Sequence, residues 1–290
     1  MSDENQIQAL LHAKAQWFDT LVDQGQGARR LHPFVVKIRP DGEALAQVRA
    51  CLGRLLSHLC HIYGRVHIPA GSLVEQLSWI TEAAERLPFL SDNGLVRFRP
   101  LFAAQMAELQ EQWRKLLISA LPGCAVSGMQ KMVNVRIAGT LSNHRDAAPW
   151  ADSQPHAECW VGEPLDSVAL YMPAQDGALA DYLTLFDTLP EYFPAHFRHA
   201  SSYTECLEDL SSLGCEFPEL DLHMGAGELY VVDSLVVRRI NRDAPWVSVG
   251  LDGRLRTGVT QKLGASFLGT QALRRNYDAV PPHVFRGIDW

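Results

Sequence analysis

The densest group of side chains able to do chemistry lies in the segment NHRDAAPWADSQPHAECWVGEP, residues 143–164. Two pairs in this segment place a histidine one residue away from a carboxylate: His144 with Asp146, and His156 with Glu158. Along a strand, residues i and i+2 face the same side, so the imidazole and the carboxylate of such a pair would project together into one cavity. This arrangement supplies two of the three protein ligands of a 2-His-1-carboxylate iron site.

The residues that follow the second pair favour it over the first. After His156 and Glu158 come Trp160, the turn residues 162–164 (Gly-Glu-Pro) and a strand-like run that ends at Pro173. This order resembles the core of non-haem iron, 2-oxoglutarate-dependent dioxygenases of the phytanoyl-hydroxylase-like kind. It is most similar to the members of that family that act in antibiotic biosynthesis.

Two later segments extend the resemblance. GELYVVDS, residues 227–234, is similar to a turn that leads to a metal ligand of the family. VSVGLDGR, residues 247–254, is similar to the family's last core strand. Together the resembling segments span about residues 130–256, which is less than half of the chain.

The resemblance implies a fold, two cofactors and an activity. The implied fold is a double-stranded β-helix, a jelly-roll or cupin-like barrel, and the implied cofactors are iron(II) and 2-oxoglutarate. The implied activity is oxygenation or hydroxylation of a small-molecule substrate in specialised metabolism. By the same resemblance, His156 and Glu158 would bind the metal, and Arg254 on the last core strand would bind the distal carboxylate of 2-oxoglutarate.

One residue departs from the family pattern at the position of the second metal-binding histidine. The stretch after VVDS continues as LVVRRIN, and Arg238 stands where the histidine is expected. An arginine side chain is permanently charged and has no acceptor atom for a metal ion. The metal site that the resemblance implies is therefore incomplete at this position.

Three interpretations of this departure stay open. In the first, His156 and Glu158 hold the metal together with a substitute third ligand, His223 or His144. In the second, the chain is a metal-free barrel of the same fold, a ligand-binding protein or a non-oxygenase enzyme. Arg238 then pairs with Glu158 and binds a carboxylate or phosphate group of a ligand. In the third, the alignment is displaced. A separate alternative is a structural or partner-binding protein in which the polar segment forms only a loop.

The first half of the chain must position this region, and its apolar spacing predicts helices. Apolar residues recur at every third or fourth position in four stretches, as expected for one buried face of an amphipathic helix. One shorter segment, LHPFVVKI at 31–38, is strand-like instead. The predicted helices cover about residues 5–23, 45–62, 72–87 and 101–121.

From about Gly128, short β-type runs replace the helical pattern. The first of them alternates apolar and polar residues, and the runs are separated by Gly, Pro, Asp and Asn, which is typical of a jelly-roll or a small barrel. The runs lie at 131–139, 167–173, 227–234 and 245–255. The sequence thus predicts an α+β protein with three parts: a helical N-terminal part (1–127), a barrel core (128–260) and a C-terminal tail (261–290).

Composition excludes some partners. The formal net charge of −7 argues against nucleic-acid binding, which requires clustered basic residues. No apolar run reaches the roughly 18 residues of a membrane span, and the first residues, MSDENQIQALLHAK, do not resemble a secretory signal. We therefore expect a cytoplasmic protein with neither a nucleic-acid nor a membrane partner. Its six cysteines form no CxxC pair and are expected to be free thiols.

Overall fold

The computed structural model of the chain describes a defined set of residues, to which all structural statements below refer. His144, Asp146, His223, the C-terminal tail and most of the third predicted helix lie outside this set, and only the backbone of His156 is described. The described residues are 3–25, 27–64, 73, 75–76, 79, 91–92, 95–96, 100–130, 132–138, 142–143, 155–158, 164–174, 183–187, 218–222, 224–240 and 248–259.

Three α-helices confirm the first, second and fourth predicted helical stretches. Helix α1 spans Asp3–Gln24, α2 spans Gly42–Gly64, and α3 spans Ala103–Ala120 after a 3-10 turn at Pro100–Phe102. Each presents an apolar stripe that is buried, as the periodicity predicted. None of the described helices is long and apolar enough to cross a membrane.

The start of α2 shows how the local sequence sets a helix boundary. The Oδ1 atom of Asp41 accepts the backbone N–H groups of Glu43 and Ala44 at 2.9 and 3.0 Å. An aspartate at this position satisfies amide groups that have no partner in the first turn, which stabilises the helix by about 1 kcal/mol. The break after Pro40 in the sequence therefore ends the preceding strand and begins α2.

The described cysteines are buried or half-buried thiols. Cys51, Cys60 and Cys124 are all free. Burial raises the pKa of Cys60 to about 12, so its thiol stays protonated at neutral pH. We assign these residues a packing role.

Strands fill the second half of the chain and part of the first. They are β1 Arg29–His32, β2 Val35–Ile38, β3 Ser91–Asp92, β4 Leu95–Val96, β5 Gly128–Met129, β6 Asn134–Ala138, β7 Ser142–Asn143, β8 His156–Ala157, β9 Ser167–Pro173, β10 Leu183–Leu185, β11 Leu229–Asp233, β12 Val237–Ile240 and β13 Ser248–Arg256.

The strands form two sheets. The larger has the order β1-β2-β11-β9-β13-β6-β4-β3-β7, with β5 also pairing with β13, and the smaller has the order β10-β12-β8. The described pairings are antiparallel except that of β3 with β7. From β8 to β13, successive strands alternate between the smaller and the larger sheet. The predicted α+β class is confirmed, and the strand-like segment at 31–38 belongs to the larger sheet through β2 and β11.

One face of the larger sheet lies against the helices. A Cβ atom placed on Gly253 of β13 would be 3.2 Å from Nε1 of Trp113 on α3. A Cβ atom on Gly227, before β11, would meet the Leu45 side chain of α2. The apolar core lies between this face and the helices. On β9, β11 and β13, the residues that point toward the helices are mostly Leu, Val and Met. Its fully buried members include Phe18, Leu52, Leu109, Leu116, Leu170, Met172, Leu229, Val231, Val249 and Leu251.

The opposite face of the same sheet carries a row of polar residues. Tyr230 of β11 pairs in register with both Lys37 of β2 and Tyr171 of β9, and Tyr171 pairs with Asp252 of β13. Asp252 in turn pairs with Asn134 of β6. Directly opposed residues in adjacent strands project to the same face. These five residues, which we call the polar row, therefore cross the face of the sheet that looks away from the helices.

Candidate functional site

Glu158 is the centre of a buried cluster that joins the two sheets. It follows β8 directly and is 3% exposed. Its Oε1 atom accepts hydrogen bonds from Nη2 of Arg238 on β12 and, at 2.7 Å, from Nη2 of Arg254 on β13. The hydroxyl of Tyr171 on β9 donates to the same atom at 3.1 Å. We call these four residues the Glu158 cluster.

Strand register explains why these side chains meet. Arg238 lies directly opposite His156 in the antiparallel pair of β12 and β8, so it is close to the end of β8 where Glu158 follows. Arg254 and Asp252 are two residues apart on β13 and therefore share one face of that strand. Gly253 between them faces α3.

Asp252 links the cluster to a third arginine. Its carboxylate accepts the side-chain amide of Asn134 at 2.6 Å and the Nε–H of Arg136, both on β6. Nη1 of Arg254 lies 3.5 Å from Oδ1 of the same carboxylate. A charged residue on a strand is more often exposed, but Arg136 is buried and directed into this network.

The network concentrates charge where water is excluded. Among the described residues it contains three guanidinium groups and two carboxylates: Arg136, Arg238, Arg254, Glu158 and Asp252. Guanidinium groups stay charged when buried, so they require close carboxylate partners and additional hydrogen bonds. The carboxylate partners are supplied here by ion pairs, of which those of Glu158 connect strands of both sheets.

Tyr171 takes part as a neutral donor and as an aromatic surface. Burial raises the pKa of Tyr171 well above its ordinary value, although the charge of Arg238 acts in the opposite direction. The phenol therefore stays protonated and donates to Glu158. The guanidinium carbon of Arg238 lies 5.3 Å from the centroid of the Tyr171 ring, within the range of a cation–π interaction.

The described contacts of Glu158 do not fit a metal ion at its Oε1 atom. The carboxylate oxygen already binds two guanidinium groups, and a divalent cation at that atom would be repelled by both charges. The described part of the chain contains no group of three or more His, Cys, Asp or Glu that could hold an ion. His156 and His223 stay predictions as metal ligands, because their side chains are not described.

Sequence reasoning identified some members of this network and missed others. The contact of Arg238 with Glu158, part of the second interpretation, is present, and Arg254 reaches the same site. The roles predicted for these residues stay predictions. Asp252 was missed, although the alternation Asp252-Gly253-Arg254 on a predicted strand places two charged residues on one face. Tyr171 was included only as part of the strand-like run that ends at Pro173.

Comparison with known proteins leaves the chain without an assigned family. No protein-family model and no curated protein matches it. Similar solved structures include the non-haem α-ketoglutarate-dependent carbocyclase SnoK from nogalamycin biosynthesis, at 10% identity over 82% of this chain and 83% of that chain, with a TM-score of 0.43. The epimerase SnoN in complex with Fe3+, α-ketoglutarate and nogalamycin RO has 13% identity over 86% and 84%, with a TM-score of 0.41. An N-substituted L-amino acid dioxygenase from Burkholderia ambifaria AMMD, in complex with α-ketoglutarate, has 12% identity over 83% and 87%, with a TM-score of 0.35. With TM-scores below 0.5, we take neither fold nor function from these structures.

Proposed function

We propose that this protein is a metal-independent barrel that binds a small organic acid between its two sheets, at Arg238 and Arg254. The observation that carries the proposal is the convergence of both guanidinium groups on the buried carboxylate of Glu158. A guanidinium has five N–H donors in a fixed fork and can bind two carboxylates at once. Glu158 therefore orients both arginines for bidentate recognition of a ligand carboxylate.

The polar row supports a polar ligand at this place. Most two-sheet folds fill the space between their sheets with apolar side chains. Here the larger sheet carries the polar row on the face opposite the helices, and this face also contributes Tyr171 and Arg254 to the Glu158 cluster. Buried polar groups cost free energy unless they are hydrogen-bonded, so such a layer is typical of a binding site and unusual for a plain core.

The proposed fold is the double-stranded β-helix of the phytanoyl-hydroxylase-like kind. The alternation of β8 to β13 between the two sheets supports it, since a jelly-roll builds two facing sheets from strands in this way. In that fold the ligand site lies inside the barrel. The Glu158 cluster, which takes residues from both sheets, has the corresponding position.

Arg238 takes the place of a metal ion in this proposal. Arg238 stands at the sequence position where the resemblance implies a second metal-binding histidine. It lies opposite His156 in the strand pair and forms an ion pair with Glu158. A fixed cation at this place gives an acidic ligand an electrostatic partner without a bound metal. The charge is permanent, so ligand binding should survive removal of metal ions.

The test is a calorimetric titration of chelator-treated protein with 2-oxoglutarate and, separately, with succinate. We expect binding without metal, and Arg238→Met should weaken it about 10- to 100-fold, since a charged hydrogen bond contributes about 1.5–3 kcal/mol. The matched control is Arg239→Met. Arg239 is the next residue on β12 and binds the exposed Glu219 at 2.9 Å, so this variant should bind like the wild type. Equal affinity in Arg238→Met and wild type, or no binding of either acid, would overturn the proposal.

A second candidate is an iron(II), 2-oxoglutarate-dependent oxygenase. It is supported by the position of His156 on β8, of Glu158 directly after β8 and of Arg254 on β13. His156, Glu158 and His223 would then hold the metal, and Arg254 would bind 2-oxoglutarate. Anaerobic addition of iron(II) and 2-oxoglutarate tests it. A visible charge-transfer band that disappears in His156→Ala would support this candidate and contradict the metal-independent site.

A further inference from the structure

A buried ion pair ties the N-terminal helix to the end of β11. Nζ of Lys14 on α1 lies 2.7 Å from both carboxylate oxygens of Asp233, the last residue of β11. The two side chains are 3% and 1% exposed and lie 219 residues apart in the sequence. An ion pair buried to this degree is expensive to desolvate and has to be held by good geometry on both sides.

Asp233 also organises the corner that follows it. Its Oδ1 atom accepts the backbone N–H of Leu235 at 2.9 Å, and its carbonyl oxygen accepts that of Val236 at 3.0 Å. The next residue, Ser234, donates its N–H to the carbonyl of Ser167 at 3.3 Å. All of the corner is buried. At this corner the chain leaves the larger sheet and enters the smaller one.

The corner leads directly to the Glu158 cluster. Strand β12 begins at Val237, and its second residue is Arg238. The direction in which β12 leaves the corner therefore sets where the guanidinium of Arg238 lies relative to Glu158. A rotation of the backbone at this corner would displace Arg238, because only four residues separate Asp233 from Arg238.

We propose that Lys14 is a positioning residue for Arg238: it fixes the corner after β11 through Asp233, so that α1 is required to complete the ligand site. The inference rests on the proposed function, because it gives Arg238 the ligand-binding role stated there. Lys14 does not touch the site. Lys14 acts through the Asp233 carboxylate, which accepts hydrogen bonds from both Nζ of Lys14 and the backbone N–H of Leu235.

The test compares variants that separate charge balance from positioning. Lys14→Met alone leaves a buried carboxylate without its cation and is expected to destabilise the protein. In Lys14→Met/Asp233→Asn both charges are removed, while the Asn oxygen can still accept the Leu235 N–H. We expect this double variant to recover most of the melting temperature. Its backbone amides at 235–238 should nevertheless exchange hydrogen about tenfold faster than in wild type, and its affinity for succinate should fall about tenfold.

Two controls keep the result interpretable. Lys14→Arg preserves the cation and should restore wild-type exchange and affinity, and it serves as the decisive comparison if the double variant does not fold. Lys115→Met removes an exposed lysine of α3 that lies 3.8 Å from Glu111 and should change neither readout. Wild-type exchange and affinity in the double variant would overturn the inference.

The amide-exchange readout requires no ligand. If neither 2-oxoglutarate nor succinate binds the wild type, the proposed function fails. Unchanged exchange at 235–238 in the double variant then shows separately that Lys14 does not fix the corner.

Discussion

Arg238 on β12 lies directly opposite His156 on β8, and its guanidinium binds the carboxylate of Glu158, two residues beyond that histidine. The backbone register alone thus brings a permanent cation to the end of β8. A second cation, Arg254, reaches the same oxygen from the other sheet. The electrostatics of the site are therefore set by residues that no change of pH in the physiological range can neutralise.

Glu158→Gln should be strongly destabilising. The substitution keeps the size of the side chain but removes the negative charge that two buried guanidinium groups bind, and breaking a buried ion pair costs about 3–5 kcal/mol. Urea denaturation at neutral pH measures this loss. Glu108→Gln is the control, because Glu108 binds Arg54 at the surface and such pairs contribute about 0.2–1 kcal/mol. Similar losses in the two variants would contradict the prediction.

Tyr171→Phe should have a smaller effect. It removes the hydroxyl that donates to Glu158 but keeps the ring beside Arg238, so about 1 kcal/mol of unfolding free energy should be lost. The same substitution introduced into Glu158→Gln should cost measurably less, because the partner carboxylate is already gone. Strictly additive losses in this double-mutant cycle would show that the hydroxyl stabilises the protein by another route.

Gly253→Ala should strain the contact between β13 and α3. The added Cβ would lie 3.2 Å from Nε1 of Trp113, closer than an ordinary van der Waals contact. We expect a loss of about 1–3 kcal/mol, as for other overpacked core positions, and a smaller loss in the background of Trp113→Leu. Gly42→Ala is the control, since its Cβ would meet nothing within 4 Å. Thermal unfolding of the four variants measures these differences.

Glu228→Gln should destabilise the protein only above mildly acidic pH. Burial alone raises the pKa of Glu228, but hydrogen bonds from Tyr230, Lys37 and the N–H of Gly225 outweigh it and the pKa lies below its ordinary value. Since the unfolded-state pKa is about 4.3, this stabilisation is fully present above that pH and is lost as pH falls through the folded-state pKa. Urea midpoints of variant and wild type should differ near about pH 6 and converge near about pH 3. A constant difference would show that Glu228 acts without its charge.

Much of the fold could be predicted because helix and strand periods are local. The apolar stripe that contains Trp113 marked α3, and the alternation around Gly253 marked β13. The pairing of β2 with β11 could not be predicted, because each strand carries only its own period and the two lie at opposite ends of the described chain. Such long-range register is set by packing of the whole sheet.

The candidate site, like the fold, could be predicted from the sequence only in part. The contact of Arg238 with Glu158 followed from a resemblance, but the burial of Arg136 did not, since a lone charged residue on a strand is usually exposed. Lys14 left a signal that can be recognised afterwards. It lies four residues after Leu10 and four before Phe18, so it interrupts the apolar stripe of α1 with a charge that must find a buried partner.

The two faces of the larger sheet are under different structural constraints. Contacts with the helices restrict the apolar face, whereas on the other face Asn134 donates to Asp252 and Tyr171 donates to Glu158, beside the proposed ligand site. Substitutions that replace a carboxylate of this network together with its arginine partner should therefore change ligand specificity and leave the packing of the sheet against the helices unchanged. A library confined to those positions would separate variants that alter recognition from variants that merely unfold.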